Sequence, residues 1–201
     1  MKKVIFLSLV FFFTNISCSV YETFVNISRL KFKLGNVNGF NLNGVAISNK
    51  SKLQDFNATE ILKISSAVAQ GKLPITFTLN IEAKNPNDGT GGYKKTNATL
   101  QSFPFRLLID DKETISGNIG APVTVPGTGE ITILPLQMQL DLVDFFANKG
   151  YESLINLALS IGGSTGSSSR LALYAQPTVT TAIGNITYPN ELKIISAEFT
   201  N

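Results

Sequence analysis

Alternation with a period of two dominates the chain. Over 75–84, Ile75, Phe77, Leu79, Ile81 and Ala83 alternate with Thr76, Thr78, Asn80, Glu82 and Lys84. Successive side chains of a strand point to opposite faces, so this segment predicts a strand with one buried and one wet face. Leu30, Phe32 and Leu34 alternate with Arg29, Lys31 and Lys33 in the same way. Phe40 and Leu42, then Val45 and Ile47, predict another strand, and the slip of phase near Gly44 predicts a bulge. Further strands are expected at 96–101, 103–109, 113–119, 123–125, 131–140, 171–174, 178–182, 186–188 and 192–199. Turn residues such as Asp110-Asp111-Lys112 and Pro126-Gly127-Thr128-Gly129 separate several of them. Short strands at this spacing argue for an all-β sandwich or barrel.

Two segments change period and predict helical insertions, near 57–70 and 141–161. Asn57-Ala58-Thr59-Glu60 has the form of a capping box, in which Asn57 takes an amide three residues on and Glu60 reaches back. Ile61, Ile64, Ser65 and Val68 then share a face. In the second insertion Leu142, Phe145 and Phe146 lie together, Gly150 breaks or bends the run, and Leu154, Ile155, Ala158 and Ile161 continue it. Both helices are expected as lids on the sandwich. The Gly/Ser/Thr segment 162–169 predicts a flexible loop.

The start of the chain has a different character. Met1-Lys2-Lys3 precedes an apolar stretch, 4–13, interrupted only by Ser8. This is the layout of a secretory signal, and the stretch is about half the length that a membrane span needs. The lone Cys18 follows Ile16-Ser17 and resembles a bacterial lipobox, with Asn15 where that pattern prefers Leu. The resemblance implies residues 1–17 as signal peptide, Cys18 as the lipid-attachment residue, 18–23 as a tether, and 24–201 as one domain. Cleavage after Ser19 is the rival and would release a soluble protein. An anchored protein is expected in the bacterial envelope, at the outer membrane and facing the periplasm.

Charge and composition then narrow the chemistry. The net charge of +3 includes Lys2 and Lys3, and without the leader 15 basic residues face 14 acidic ones. No basic stripe with interleaved aromatics appears, so nucleic acid is not an expected partner. The absence of His and the single Cys exclude a Ser-His-Asp triad, a Cys-His dyad, His or multi-Cys zinc sites and an internal disulfide. Gly162 to Ser167 lacks the Lys of a phosphate loop. Ser28 and Lys31 have Ser-x-x-Lys spacing, but on a strand they point to opposite faces. Asp110 and Asp111 read as turn formers, and Asp141 and Asp144 as first-turn acids of a helix. Asn85-Pro86-Asn87-Asp88-Gly89 lacks the acidic spacing of a calcium loop and reads as a sharp turn. No catalytic residue, metal site or cofactor is expected.

The strand 75–84 running directly into Asn85-Pro86-Asn87 resembles the late embryogenesis abundant (LEA) type-2 family, the water stress and hypersensitive response (WHy) domain. Phe105 to Asp111, Ile115-Ser116-Gly117 and the hairpin of 122–136 around Gly127-Thr128-Gly129 resemble its two following hairpins. Asp111 replaces the usual turn Gly, 88–95 is an enlarged loop, and the helix at Asn57 is extra. The resemblance implies a mainly β, fibronectin-III/immunoglobulin-like antiparallel β-sandwich with two helical insertions, Asn85, Pro86 and Asn87 as its structural turn, and no catalytic residues. It implies a non-enzymatic, stress-protective or binding and scaffolding role; through the expected lipid anchor, the membrane and envelope proteins are the expected partners. A carrier of a small apolar ligand, with Phe145-Phe146 as the lid of an intersheet pocket, is the alternative.

Overall fold

The computed structural model describes residues 26–27, 29–181 and 183–200. The expected leader, Cys18 and Ser28 lie outside them. Within the described residues twelve strands form three antiparallel four-stranded sheets. The first runs β2-β1-β3-β8, from β1 (Lys31–Leu42), β2 (Val45–Ala46), β3 (Pro74–Lys84) and β8 (Ile131–Asp141). β3 is its spine and pairs with β8 over the full eleven residues, from Pro74 opposite Asp141 to Lys84 opposite Ile131. The alternation read from the sequence holds at every position: Ile75, Phe77, Leu79, Ile81 and Ala83 are buried, and their neighbours face outward.

The other two sheets share one strand order. One is β11-β10-β4-β7, from β4 (Ala98–Ser102), β7 (Val123–Val125), β10 (Thr178–Thr181) and β11 (Gly184–Thr187). The other is β12-β9-β5-β6, from β5 (Phe105–Ile109), β6 (Lys112–Gly117), β9 (Leu171–Ala175) and β12 (Leu192–Ile194). β4 leads into β5, β6 into β7, β9 into β10 and β11 into β12. The two sheets are therefore halves of one four-stranded layer, creased along a line. A proline sits on each of its four strands at that line: Pro104, Pro122, Pro177 and Pro189. Proline has no N–H to give to a ladder, so pairing lapses where it stands. The crease is bridged instead by Gln176 N–H to Pro104 O (3.0 Å) and Tyr188 N–H to Pro177 O (2.9 Å). Gln176 Nε2 adds a bond to Tyr188 O at 2.8 Å. The sandwich predicted from the alternation is thus present, with its second layer folded.

The layers enclose one continuous core, with Phe32 and Phe103 packed ring to ring at 5.3 Å and Phe40 stacked on Phe77 at 5.1 Å. Past β12 the chain crosses from the creased layer to the first sheet. Leu34 N–H donates to Ile195 O, and Thr200 N–H donates to Phe32 O. The strand expected over 192–199 is accordingly three residues long, because its continuation lies along another sheet.

Several expectations are corrected. Gly44 is not a bulge. Asn43 and Gly44 both have positive φ and form the two-residue turn of the β1–β2 hairpin. The register slips lie inside β1, between Leu34 and Val37 and between Asn38 and Asn41. The second helical insertion is two helices, α2 (Leu142–Phe146) and α3 (Tyr151–Gly162), with Gly150 as N-cap of the latter. α3 is no lid: Leu154, Ile155, Leu157, Ala158, Leu159 and Ile161 are all buried, each large aliphatic worth about 1.5–3 kcal/mol. α1 (Ala58–Ala69) does start at the Asn57–Glu60 capping box, with Glu60 N–H to Asn57 Oδ1 and Asn57 N–H to Glu60 Oε2 at 2.9 Å each. It buries only Ile64, while Ile61 and Leu62 face outward.

The expected flexible loop after α3 is a packed turn. A Cβ on Gly162 would lie 2.2 Å from Cγ of Phe40, so the small residue is what lets the helix end reach β1. Ser168 is buried and donates to Gly35 O at 2.7 Å. Among the described residues no helix is long and apolar enough to cross a membrane.

Candidate functional site

The Asn85-Pro86-Asn87 segment is more than a sharp turn. Asn85 is wholly buried and Asn87 is 1% exposed. The Asn85 amide donates to Thr96 O at 2.8 Å and Val125 O at 3.0 Å, and its Oδ1 accepts from Asn87 N–H at 3.2 Å. Thr96 and Val125 flank β4 and end β7, so one side chain fastens β3 to the creased layer. Its backbone carbonyl accepts from Gly129 N–H, and that of Asn87 accepts from Thr96 N–H.

Asn87 turns the other way, towards the start of the described chain. Its amide donates to Asn26 O at 2.8 Å, and its Oδ1 accepts from Arg29 Nη1 at 2.9 Å. The Arg29 guanidinium stacks on Tyr93 at 3.6 Å from the ring centre, a cation–π contact with a residue of the 88–95 loop. A few residues away, the buried Tyr188 hydroxyl donates to Ile27 O, and burial pushes that phenol well above its ordinary range. A Cβ on Gly127 would stand 2.5 Å from Asn87 O, which ties the Pro126–Gly129 turn to the same hub. Asn97 Oδ1 accepts from Gly127 N–H at 3.0 Å. The two asparagine amides are spent on holding backbone and the Arg29 side chain, so the hub is a joint between the incoming chain and both layers. The Asp88 carboxylate bonds the hydroxyl and N–H of Thr90, which lower its pKa.

Of the acids that stand in pairs in the sequence, Asp110 and Asp141 are bonded within the fold. Asp110 and Asp111 have positive φ in the β5–β6 turn, and Asp110 forms a two-point ion pair with Arg170. Asp141 Oδ1 accepts from Val143 N–H at 3.0 Å as the N-cap of α2 and from Leu73 N–H at 2.7 Å. A second polar cluster lies on the creased layer, where Arg106 pairs with Glu113 and Glu191 at 2.8 and 2.9 Å and stacks on Tyr174. Arg106 hydrogen bonding holds Glu191 below the ordinary carboxylate range. Lys50, only 8% exposed, bonds Glu60 Oε2 at 2.8 Å and Asp55 O at 3.1 Å, fixing α1 to the loop before it.

A cleft of about 410 Å³ opens where β1, β3 and the turn after α3 meet, lined by Gly35, Asn36, Glu82, Gly163 and Ser167 among others. Neither Phe145 nor Phe146 borders it, and Phe146 is buried in the core. The Asn-Pro-Asn position of the hub was legible from sequence. Arg29, Tyr93 and Tyr188 were not, since each meets its partner across 58 to 161 residues or in a loop of low-information composition.

No protein-family model matches the chain, and no curated protein matches it. Among solved structures it is similar to a protein described as late embryogenesis abundant, at 13% identity over 89% of this chain and 77% of that one, TM-score 0.37. A protein from Archaeoglobus fulgidus matches at 10% identity over 81% and 96% of the two chains, TM-score 0.33. A protein from Arabidopsis thaliana matches at 15% over 62% and 73%, TM-score 0.28. These scores carry no function to this chain, whose reading rests on its own residues.

Proposed function

We propose that this protein is a non-enzymatic envelope lipoprotein, anchored through Cys18, with a LEA type-2-like binding and stress-protective role. The observation that carries the reading is the buried Asn85–Asn87 joint. A family-like turn motif is used to lock the segment next to the expected tether into the sandwich. An anchored domain must carry force and thermal motion from its tether without opening, and a fully bonded hub serves that need.

The mechanism is surface contact. β3 and β8 turn Thr76, Thr78, Asn80, Gln137 and Gln139 outward. Neutral, well-hydrated side chains of this kind make that part of the sheet a wet, weakly interacting surface. The cleft of β1, β3 and the turn after α3 is polar-lined, and the Phe145-Phe146 helix covers no part of it.

Intact mass of the mature protein tests the anchor. Diacyl or triacyl mass on Cys18, lost in Cys18→Ala, is expected, and a free N-terminus at Val20 overturns it. Vesicle leakage and enzyme inactivation on drying, with and without the protein, test the protective role. Equal losses in both samples would remove it.

A further inference from the structure

The net positive charge of the described residues is collected at the Asn-Pro-Asn end. Lys31 is opposite Lys84 in the β1–β3 register, and Lys33 is opposite Glu82. Arg29 precedes β1 and rests on Tyr93, and Lys94 and Lys95 follow Tyr93 in the same loop. Six basic residues are thus gathered against four acids, Glu82, Asp88, Glu130 and Glu198, the last beside Phe199, whose ring lies under Lys33. Of these, Glu82 already faces Lys33 at 2.9 Å and Asp88 is bonded to Thr90. The remaining described residues carry nine basic and nine acidic side chains, so the positive excess of the described residues lies wholly at this end.

Exposed apolar side chains stand in the same place. Ile131 lies opposite Lys84 and Ile133 opposite Glu82, on the outward face of β8, and they are 52% and 49% exposed. Tyr93 is 38% exposed. The rows Lys31–Lys84–Ile131 and Lys33–Glu82–Ile133 therefore place lysines beside bare isoleucines across one sheet face. Lysines beside bare isoleucines and a part-exposed aromatic ring match the headgroup layer of a bilayer. The far end of the sheet, where β3 begins beside α1, is about 35 Å away along an eleven-residue strand.

We propose that this end is a bilayer-contact surface. Its lysines take the headgroups of anionic phospholipids, and Tyr93, Ile131 and Ile133 sit at the interface. The orientation agrees with the anchored reading above, since Asn26 also lies at this end, but the surface rests on charge and exposure and not on Cys18. The sandwich would then stand on the membrane with α1 outermost.

The chain has no Trp, so single-tryptophan reporters are clean. Tyr93→Trp, Ile133→Trp and, on the outward face of α1, Leu62→Trp are made in the protein as isolated. Emission and quenching by brominated acyl chains are read on phosphatidylcholine vesicles with and without phosphatidylglycerol. The expected result is a blue shift and quenching for Tyr93→Trp and Ile133→Trp on the anionic vesicles alone, reversed at about 0.5 M salt, with Leu62→Trp unaffected. Reversing Lys31, Lys84 and Lys95 to Glu is expected to weaken the contact by roughly fivefold or more per lysine. Quenching of Leu62→Trp, equal quenching on neutral vesicles, or no quenching on anionic ones overturns the proposal. The salt arm keeps it falsifiable should the triple variant not fold. Acyl mass on Cys18 is measured on the same sample, so a missing anchor and a missing surface are told apart.

Discussion

Asn85→Ala removes the joint while leaving its surroundings in place. The side chain is wholly buried and makes three hydrogen bonds, to Thr96 O, Val125 O and Asn87 N–H. Truncation strands three backbone groups away from water, each costing about 1–3 kcal/mol if nothing replaces its partner. Partial relaxation brings the expected total to about 3–5 kcal/mol, a large share of the 5–15 kcal/mol that holds a typical domain. For a domain of this size that is a fall in Tm of roughly 6–20 °C, by the usual 2–4 °C per kcal/mol. Asn85→Asp sharpens the test. It keeps the acceptor but sets a carboxylate against two carbonyl oxygens, which favours the protonated form and raises its folded-state pKa. The folded state then binds a proton that the unfolded chain has released, so the penalty is fullest at neutral pH. It shrinks as pH falls through the raised folded-state pKa towards the unfolded one, where a protonated Asp can donate one of the two lost bonds. Thermal melts of the three proteins at neutral and acidic pH read both effects. If Asn85→Ala melts within about 2 °C of the parent, or Asn85→Asp gains nothing on Asn85→Ala when acidified, the hub does not hold the layers as argued.

Gly162→Ala forces a Cβ to within 2.2 Å of the Phe40 ring. It is expected to cost about 1–3 kcal/mol, and Phe40→Leu in the same chain should return part of the loss in a double-mutant cycle. Tyr188→Phe removes the hydroxyl bond to Ile27 O and should cost about 1 kcal/mol. Because burial raises the Tyr188 pKa in the folded state, its contribution is complete below the ordinary tyrosine value and fades as pH climbs above it. Alkaline melts should therefore converge for parent and Tyr188→Phe, and a constant gap would show that the phenol does not titrate as described.

Features that depend on neighbours a few residues away were legible in the chain alone. The strict alternation over 75–84 decided the buried and wet faces of β3, because side-chain direction in a strand depends only on parity. The Asn57–Glu60 box decided where α1 begins, because its bonds close within four residues. Features that need a distant partner waited for the packed fold. Four prolines scattered from 104 to 189 fall on one line only when their strands are laid side by side. The Gly/Ser run after α3 looked mobile by composition, yet Gly162 meets the Phe40 ring, Gly163 the carbonyls of Leu159 and Lys50, and Gly166 the carbonyl of Ile161. Gly44 looked like a bulge because a hairpin and a phase slip leave the same mark on one strand read alone. The asparagines at 85 and 87 announced a turn, but Arg29, Tyr93 and Tyr188 join them through contacts that no spacing encodes. The clustering of lysines beside Ile131 and Ile133 likewise exists only after β1, β3 and β8 have paired, since charge along the chain is close to balanced and only the register gathers it at one end.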